Sequence, residues 1–420
     1  MHSSPSTTIT IAVVGGGIAG LATFISLNRL PNVSVHVFEQ ASELREVGAS
    51  IAIGPNGLRG LEEIGVPEAL SDDVGFRSDH GIPHVFQHWS TGEVLALERH
   101  SAGVTERRHH TSRFFRPHLV EVLASHIPAE NLHLGKRLVD VEFEVSGRPV
   151  LKFEDGQTFM ADLVVGADGI KSRVRSTYLP NFKIQHTGNI FLRAVFPISR
   201  LSDLDLPRIR NTVHTIGPDR TFFSSALAND LFTVVTSKYE GLESPIWRDK
   251  QWDQEADLER FRSYFDKDWN PTIRALVSRT ENLRVYPTLS SEGIPEATWR
   301  NRIVLVGDSF HPFGGAFAAG GGMAIDDAVA LYLALSHTQG NLPAALGLYE
   351  ATRRPQVERV MEAVNVNRKN AGEWRDDEKI RKMASTRQDG YGAWLHEHDV
   401  HEAFRAALLR LGIPNTESAF

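Results

Sequence analysis

The chain has 420 residues, a formal net charge of −7 and no cysteine, so it is long enough for about two domains. The lack of cysteine excludes disulfides, thiolate metal sites, iron–sulfur clusters and redox-active cysteine pairs, and the acidic balance argues against nucleic acid and anionic membranes as partners. No run of 18 uncharged apolar residues predicts a membrane span, and the polar residues 1–8 lack the apolar core of an export signal, so we expect a cytoplasmic protein.

A glycine-rich turn lies near the start of the chain. A β-branched strand is predicted over residues 8–14, the stretch GGGIAG follows, and a helix is predicted over residues 21–30. Gly15, Gly17 and Gly20 have the G-x-G-x-x-G spacing, which permits a tight turn, close approach of backbone to a pyrophosphate and close packing of helix on strand. The helix N-terminus offers free N–H groups to phosphate oxygens. This stretch therefore predicts a dinucleotide site.

Three carboxylates follow predicted strands at separate points of the chain. Glu39 ends VSVHVFE, Asp168 follows a strand over residues 162–165, and Asp308 follows a strand over residues 303–306. Glu39 lies 19 residues after the last glycine of the first motif, where a carboxylate accepts hydrogen bonds from a ribose. Ligands of open α/β sheets bind at such strand ends. The chain thus returns twice to one cofactor domain, and the extra carboxylates favour FAD, which also has a ribityl chain.

The stretches that carry these residues resemble one enzyme family. GGGIAG…FEQ, DLVVGADGIKSRVR and RIVLVGDSFHPFGGAFAAGGGMAIDDA are similar to the three ordered motifs of the class A flavoprotein monooxygenases, which salicylate hydroxylase and para-hydroxybenzoate hydroxylase typify. The likeness runs from about residue 8 to about residue 370. It implies an α/β fold with a discontinuous Rossmann-like FAD-binding domain, a second, β-sheet-rich substrate domain and a helical C-terminal tail.

The resemblance divides the chain into three parts. The FAD-binding domain comprises residues 1–75, 101–180 and 285–370, the substrate domain comprises residues 76–100 and 181–284, and residues 371–420 form the C-terminal helical segment. The charges of that last segment predict a solvated face, and we expect the segment to pack over the FAD domain or a second subunit.

The resemblance also implies an activity. It is the hydroxylation of an activated ring with O2 and NADPH or NADH, through a flavin hydroperoxide on one non-covalently bound FAD. The substrate is then a small phenolic aromatic, or more narrowly a hydroxybenzoate-type acid that undergoes oxidative decarboxylation. We expect a monomer or homodimer and no metal ion. The nicotinamide cofactor binds transiently, because no second G-x-G-x-x-G follows a strand.

Two other functions fit the same motifs. An epoxidase or hydroxylase of this fold acts on an indole or an alkene in secondary metabolism, and a flavin-bound sensor or scaffold oxidises NAD(P)H without hydroxylating anything. Substrate-stimulated oxidation of NAD(P)H separates the enzymes from the sensor. Disulfide-reductase flavoproteins need the cysteines that this chain lacks, and the W-x-W-x-I-P motif of flavin halogenases is absent.

Matching motif by motif assigns the cofactor contacts to particular residues. Gly15, Gly17 and Gly20 match the pyrophosphate glycines, and Glu39 matches the acceptor for the adenosine ribose. The other matches are Arg45 in ELREVGAS, Gly48 and Ala52 at the flavin edge, Arg116 at the FAD phosphate or ribityl region, Asp168 of the DG motif that serves FAD and NADPH, and Asp308 for a ribityl hydroxyl. Arginine suits phosphate because its planar fork donates two hydrogen bonds at once.

The family resemblance also implies a role for the glycine-rich stretch after GDSFHP. Its backbone amides lie against the flavin, and Gly320, Gly321 and Gly322 open a helix whose positive end points at the flavin N1–C2 edge, where reduced flavin is anionic. The stretch departs from the family pattern, because GDSFHP replaces Gly-Asp-Ala-Ala-His-Pro and Gly315 replaces a proline. We therefore expect a reshaped loop next to the oxygen chemistry.

The region 181–284 contains the candidate substrate residues. NIFLRAVFPI, TVHTIG, TFFSSAL and LFTVVTS are short β-rich runs that predict a meander. Arg193 in the first run matches an arginine that faces the substrate's carboxylate or phenolate in related enzymes, and such a cation lowers a phenol's pKa and orients the ring. His214 is a candidate base, although a lone strand histidine is more often structural. Ser224 and Ser225 stand where some relatives have a tyrosine, so no tyrosine base is carried over.

Overall fold

The computed structural model describes residues 8–44, 49–78, 82, 84–205, 210–244, 253–370, 376–387 and 390–415. The strands of these residues are β1 (Ile9–Val14), β2 (Val33–Phe38), β3 (Ser50–Ile53), β4 (Gly75–Phe76), β5 (His84–His88), β6 (Val94–Glu98), β7 (Ser112–Phe115), β8 (Leu132–His133), β9 (Leu138–Phe143), β10 (Pro149–Phe153), β11 (Thr158–Met160), β12 (Leu163–Gly166), β13 (Gln185–Pro197), β14 (Val213–Ile216), β15 (Arg220–Leu227), β16 (Leu231–Tyr239), β17 (Gln254–Glu255), β18 (Arg284–Ser290), β19 (Thr298–Trp299) and β20 (Ile303–Leu305). The α-helices are α1 (Ile18–Leu27), α2 (Pro55–Glu63), α3 (Arg116–Ala124), α4 (Arg173–Tyr178), α5 (Leu258–Ser263), α6 (Pro271–Arg279), α7 (Gly320–His337), α8 (Leu342–Asn370), α9 (Asp377–Ser385), α10 (Ala393–His396) and α11 (Val400–Leu411).

A six-stranded sheet with the order β19-β20-β12-β1-β2-β8 forms one layer. Its strands run parallel except for β19. The whole of β12 and β20 and the second half of β1 are buried, as parallel strands covered on both faces require. The carboxyl ends of β1, β12 and β20 therefore meet at one edge of the sheet, which is where ligands of such folds bind.

Two helices cover this sheet. The helix α1 connects β1 to β2 and completes the predicted βαβ unit, and it packs against α7. The helix α7 is buried along most of its length and also contacts α2 and α8. Small residues dominate its first turn, so neighbouring elements approach its N-terminus closely.

An eight-stranded sheet with the order β17-β18-β13-β16-β15-β14-β5-β6 forms the second layer. The four predicted β-rich runs are β13 to β16. The strands β14, β15 and β16 form an antiparallel meander, but β13 pairs with β16 instead of β14, so the prediction of a meander through all four runs is only partly right. On one face of β13, Ile190, Leu192 and Phe196 belong to a buried cluster shared with α5 and α6. The alternation of a strand turns Phe191 and Arg193 to the opposite face, which we call the free face of the large sheet.

Two small antiparallel sheets complete the described strands, with the orders β11-β10-β9 and β3-β7-β4. The second of them lies against the large sheet, where β7 contacts β15. The hydroxyl groups of Ser50 in β3 and Thr233 in β16 are 2.9 Å apart. The segment before α2 is thereby tied to the free face of the large sheet.

The C-terminal segment packs on both layers of the same chain. Ile380 and Ala384 of α9 join a buried cluster with Phe86 of β5 and Ala96 of β6, and α11 contacts α7 and α8. The mixed α/β class with a helical C-terminal region is confirmed, and the domain boundaries remain a prediction. Within the described ranges, no helix combines the length and apolarity needed to cross a membrane.

Candidate active site

The first glycine motif forms a turn that two glycines make possible. Gly15 has a φ of +113°, and a Cβ there would lie 2.3 Å from the carbonyl oxygen of Ala167. A Cβ on Gly20 would lie 1.9 Å from the carbonyl oxygen of Gly15. Gly17 is the N-cap of α1, and no described side chain caps that helix. The first N–H groups of α1 therefore stay available to a phosphate.

Glu39 lies beside this turn, directly after β2. Its Oε2 accepts a hydrogen bond from the N–H of Gly16 at 2.6 Å, and its Oε1 accepts one from the N–H of Ala41 at 2.8 Å. These bonds fix the carboxylate at the carboxyl edge of the six-stranded sheet. That edge is where a ribose of a dinucleotide is held in this type of fold.

The predicted flavin edge is described in part. Arg45 and Gly48 lie outside the described residues, and Ala52 is a buried residue of β3. Arg116 is the first residue of α3, and its backbone N–H donates to the carbonyl oxygen of Ala49 at 3.0 Å. The predicted phosphate-binding arginine is thus adjacent to the predicted flavin-edge segment.

Asp168 holds the turn that follows β12. Its carboxylate accepts hydrogen bonds from the N–H groups of Arg173 at 2.6 Å and Val174 at 3.0 Å, and from the hydroxyl group of Ser172. Burial raises the pKa of this carboxyl group, although the three hydrogen bonds oppose the change. The described partners of Asp168 belong to its own turn, and its contact with FAD or NADPH stays a prediction.

Asp308 is exposed between the carboxyl edge of the six-stranded sheet and the start of α7, a region that we call the crevice. It is the single exposed residue within residues 303–313, where every other residue is buried. Burial nevertheless raises the pKa of its carboxyl group, and the charges of His311, Arg116 and Arg175 oppose that change. A side chain at the bottom of a crevice, such as that of Asp308, contacts solvent and is also surrounded closely by protein. The position suits a carboxylate that accepts a hydrogen bond from a buried ligand.

Side chains from several elements clamp the backbone on both sides of Asp308. Asp327 accepts a hydrogen bond from the N–H of Gly307 at 2.7 Å, and Arg175 donates from Nη1 to the carbonyl oxygen of Ser309 at 2.8 Å. Asp327 is itself fully buried and accepts from Arg353 Nε at 2.7 Å. The carboxylate of Asp308 is therefore presented from a rigid backbone.

His311 has a structural position. Its side chain is fully buried, and its Nε2 lies 2.8 Å from Oδ2 of Asp327. The imidazole thus joins the clamp around the strand end.

The helix α7 begins at Gly320, as predicted. A Cβ on Gly321 would lie 2.6 Å from Cδ1 of Ile53 in β3, and a Cβ on Gly320 would lie 3.6 Å from Oδ1 of Asp308. The start of α7 therefore lies between the predicted flavin edge and the crevice carboxylate. An N-terminus in this place contributes positive potential to the crevice.

The loop before α7 has a backbone conformation that excludes proline at two positions. Gly314 and Gly315 have φ values of +67° and +79°, which proline cannot adopt. Phe317 and Ala318 also have positive φ values, +57° and +54°, which is uncommon for residues with a side chain. No sequence pattern predicts the conformation of these two residues, because the strain is a property of the folded backbone.

Arg193 projects from the free face of the large sheet toward this loop. Its guanidinium lies over the rings of Phe191, at 4.9 Å, and Tyr286, at 5.2 Å, and its Nε has no hydrogen-bond partner among the described residues. A Cβ on Gly315 would lie 3.5 Å from Nη2. Burial and the nearby Arg116 lower the pKa of Arg193 to about 10, so the group stays cationic at neutral pH.

His214 lies on the same free face but farther along it. Strand register pairs Arg193 with Val235, Val235 with Phe223 and Phe223 with His214. Three strand spacings separate the two ends of this row by roughly 14 Å. The ring of His214 stacks on Phe86, its Nε2 has no partner among the described residues, and burial lowers its pKa to about 3. The structure therefore does not place His214 beside Arg193.

A cluster of charged and histidine side chains closes the far end of the free face. Nδ1 of His84 lies 3.1 Å from Oε2 of Glu98, and Nε2 of His84 lies 2.6 Å from Nη2 of Arg113. Burial lowers the pKa of His396 to about 4. These residues and the loop residue Phe317 line a cavity of about 20 Å³, which is room for a water molecule and not for a ring. Because these residues are far apart in the sequence, no sequence pattern predicts this cluster.

The crevice residues fit FAD. Two glycines leave no room for a Cβ where a pyrophosphate approaches the start of α1, Glu39 is fixed at the adjacent strand end, and Asp308 is exposed in an otherwise buried run. The half-buried Arg193 faces the loop on the far side. The arrangement is that of a flavin crevice flanked by a separate binding face.

Comparison with known proteins gives the same result. The profile of a family described as FAD binding domain matches residues 8–364. The chain is 32% identical over 357 residues to 6-hydroxynicotinate 3-monooxygenase of Pseudomonas fluorescens, covering 83% of this chain and 89% of that protein. It is 28% identical over 434 residues to salicylate hydroxylase of Pseudomonas putida, covering 96% of each. A solved salicylate hydroxylase substrate complex has a TM-score of 0.80 at 22% identity and covers 96% of this chain and 98% of that chain.

The fold and the crevice define an FAD-binding protein, and the chain belongs to the class A flavin monooxygenases. It is an FAD-dependent aromatic hydroxylase, a monooxygenase that uses NAD(P)H as reductant. The motif resemblance, the cofactor and the enzyme class predicted from the sequence are thereby confirmed.

Proposed function

We propose that the chain hydroxylates a phenolic aromatic acid whose anionic group binds Arg193. The half-buried Arg193 on the free face, whose inaccessible Nε is unpartnered among the described residues, carries this proposal. A partly desolvated cation that has no carboxylate partner in the described part of the chain is costly, so its retention favours an anionic ligand. Salicylate and 6-hydroxynicotinate, named for two similar proteins, are hydroxylated ring acids.

The surroundings of Arg193 would orient such a ring. The rings of Phe191 and Tyr286 contact the guanidinium of Arg193. On the same face of the sheet, Val235 and then Phe223 lie on the next two strands. An aromatic acid anchored at its charged end would lie along this apolar surface. A cation near a phenol lowers the phenol's pKa and favours the more electron-rich phenolate, and fixed orientation lowers the barrier further.

The cofactor would be held by Gly15, Gly17, Gly20, Glu39 and Asp308, with Arg116, Arg45, Gly48, Ala52, Asp168 and Gly320–Gly322 as the further predicted contacts. Bound FAD, after reduction by NAD(P)H, activates O2, of which one atom enters the ring and the other leaves as water. The chain's own contribution is to hold the ring against Arg193 and to keep bulk water out between the loop and the free face.

His214 suits hydrogen bonding better than proton abstraction. A general base works best with a pKa near the working pH, whereas burial lowers the pKa of His214 to about 3. Its neutral imidazole has one nitrogen, Nε2, without a partner in the described part of the chain. We infer that this nitrogen orients a polar substituent at the far end of the substrate.

The narrower form of the proposal is oxidative decarboxylation. In an acid with a hydroxyl group ortho or para to the carboxylate, oxygen enters at the carbon that carries the carboxylate. The bond from that carbon to the carboxylate then breaks, its electron pair restores the aromatic ring, and CO2 leaves. The likeness to salicylate hydroxylase supports this form.

We infer a cytoplasmic enzyme that is a monomer or homodimer. The need for NAD(P)H supports the location. The α9–α11 segment packs on its own chain, which supports a protomer that is complete without a partner.

The decisive experiment is an assay of NAD(P)H oxidation by the FAD-loaded protein over phenolic acids, uncharged phenols and indoles, with product masses. We expect phenolic acids to stimulate oxidation and to gain one oxygen atom, with loss of CO2 in the narrower form. Arg193→Ala should reduce kcat/KM by at least about 100-fold and divert electrons to hydrogen peroxide, without changing FAD content.

Arg200→Ala is the matched control. Arg200 is a half-exposed arginine of the same region whose ion pair with Glu281 lies away from the free face, so its loss should leave turnover intact. Full coupling in Arg193→Ala on the best substrate would refute the anchor. A best substrate that is an uncharged indole or alkene would replace the phenolic acid by the epoxidase function.

A further inference from the structure

The loop 313–319 is weakly held by its own backbone. Its three internal hydrogen bonds, from Ala316, Ala318 and Ala319 to carbonyl oxygens three residues earlier, measure 3.4, 3.4 and 3.5 Å, which is beyond the usual range for N–H···O bonds. Phe317 and Ala318 have left-handed backbone conformations, and such conformations persist only where the surroundings enforce them. The loop therefore needs support from outside.

The external support on one side is Trp394 of the C-terminal segment. The rings of Phe317 and Trp394 meet edge to face, with centroids 6.4 Å apart and an interplanar angle of 78°. Trp394 is itself fixed to α8, since Arg359 lies over its ring at 4.6 Å and Gln356 Nε2 donates to its carbonyl oxygen at 3.1 Å. The contact therefore connects the loop to a helix of the cofactor layer.

The opposite side of the loop faces the large sheet. A Cβ on Gly314 would lie 2.3 Å from the carbonyl oxygen of Leu289 in β18, and Gly315 lies next to Arg193. The loop is thus held between β18 and Trp394. A shift at Phe317 would be transmitted along three residues to the backbone that borders the guanidinium of Arg193.

We propose that Trp394 is a positioning residue for the hydroxylation. It holds Phe317 and thereby fixes the loop that separates the cofactor crevice from Arg193. This role deepens the proposed function and rests on it, because it concerns the placement of the ring beside the oxygen chemistry. It assigns the C-terminal segment, which contains none of the predicted site residues, to the active site.

Loss of the contact should loosen the loop without unfolding the protein. An edge-to-face aromatic pair shifts an equilibrium by roughly three- to tenfold. In Trp394→Ala we expect amide exchange across 313–319 in the holoenzyme to accelerate by that factor. The fraction of NAD(P)H converted to hydroxylated product should fall by a similar factor, with hydrogen peroxide making up the difference, while KM for NAD(P)H stays unchanged.

Two variants separate this role from general stability. Trp394→Phe keeps an aromatic edge toward Phe317 and should restore coupling and exchange to within about twofold of wild type. Tyr391→Ala removes an exposed aromatic residue of the same segment that contacts Arg387 instead of the loop, and it should change neither measurement. Equal losses in Trp394→Ala and Tyr391→Ala would overturn the proposal.

Phe317→Gly tests the pathway of the effect. Glycine adopts the left-handed conformation without strain but cannot contact Trp394, so coupling should fall as in Trp394→Ala. The double variant should be no worse than either single variant, because both remove the same contact. Additive losses would overturn the pathway through Phe317. If wild type itself hydroxylates none of the phenolic acids, the proposed function fails; if wild type couples and Trp394→Ala couples equally well, only the positioning role fails.

Discussion

The cofactor crevice and the free face of the large sheet are built in opposite ways. The crevice is shaped mainly by backbone geometry: Gly15 and Gly20 admit no Cβ, and clamped backbone presents Asp308. The free face, which we propose as the substrate surface, is formed by side chains from separate strands, and Arg193 lies there among aromatic rings next to a loop with long hydrogen bonds.

The difference explains how one fold serves many substrates. A crevice made of backbone changes only when the fold changes, so it binds the same cofactor throughout a family. A face made of side chains changes with single substitutions that leave the sheet intact. We therefore expect the crevice to be intolerant of substitution and the free-face region to be adjustable.

The largest effect is expected for Gly15→Ala. The new Cβ would lie 2.3 Å from the carbonyl oxygen of Ala167, and alanine would have to adopt a φ of +113°. Because neither backbone segment can move independently of β1 and β12, we expect a loss of more than about 3 kcal/mol of stability and protein without FAD. Urea unfolding and the visible flavin spectrum measure both effects.

Two other glycines serve as controls for that variant. Gly65 has a φ of +93° with nothing within 4 Å of its Cβ position, so Gly65→Ala isolates the conformational strain, about 1–2 kcal/mol. Gly293 has an ordinary φ and equally open surroundings, so Gly293→Ala should be neutral. If Gly15→Ala is no worse than Gly65→Ala, close backbone packing does not determine the crevice.

A smaller and more specific effect is expected for Asp308→Ala. The clamp around residues 307–309 uses Asp327 and Arg175 and does not involve the Asp308 side chain. Folding should therefore survive, while a ribityl hydroxyl loses its acceptor, at about 1–3 kcal/mol of FAD affinity. Titration of the apoprotein with FAD measures this loss. Unchanged affinity with an intact fold would mean that the crevice carboxylate does not contact the cofactor.

The sequence was sufficient for the crevice because its parts are local. Glycines within six residues, a carboxylate at a strand end and a helix start are set by short segments whose geometry follows from residue type. The βαβ unit, the start of α7 at Gly320 and the meander of β14 to β16 follow the predictions, whereas the pairing of β13 with β16 does not. The positive φ values at Gly314 and Gly315 account for the missing proline in the same way.

The free face could be predicted only in part. Arg193 was identified by resemblance, but its partner Gly315 lies 122 positions away in the numbering, and only the packed loop brings them together. The strain at Phe317, the contact with Trp394 and the separation of His214 from Arg193 depend on sheet register and tertiary packing. No local pattern encodes such distances, so these features required the structure.

The smallest effect is expected for His100, which lines the cavity of the cluster at the far end of the free face. Burial and the nearby His110 lower the pKa of His100 to about 4, although Glu397 opposes the change, and its Nε2 accepts a hydrogen bond from the N–H of Thr111 at 3.1 Å. Between pH 6.5 and pH 4 the unfolded chain binds the extra proton and the folded chain does not. Stability is therefore complete above pH 6.5 and falls as the pH is lowered through this window.

His100→Gln keeps an acceptor for Thr111 but cannot titrate, so wild type should lose roughly 1.4 kcal/mol more than the variant between pH 8 and pH 5.5. Urea midpoints of the two holoproteins at both pH values measure the difference, in which the other titrating groups cancel. Identical pH dependence would show that His100 is as accessible to protons in the fold as in the unfolded chain, and that the far end of the free face is open to solvent.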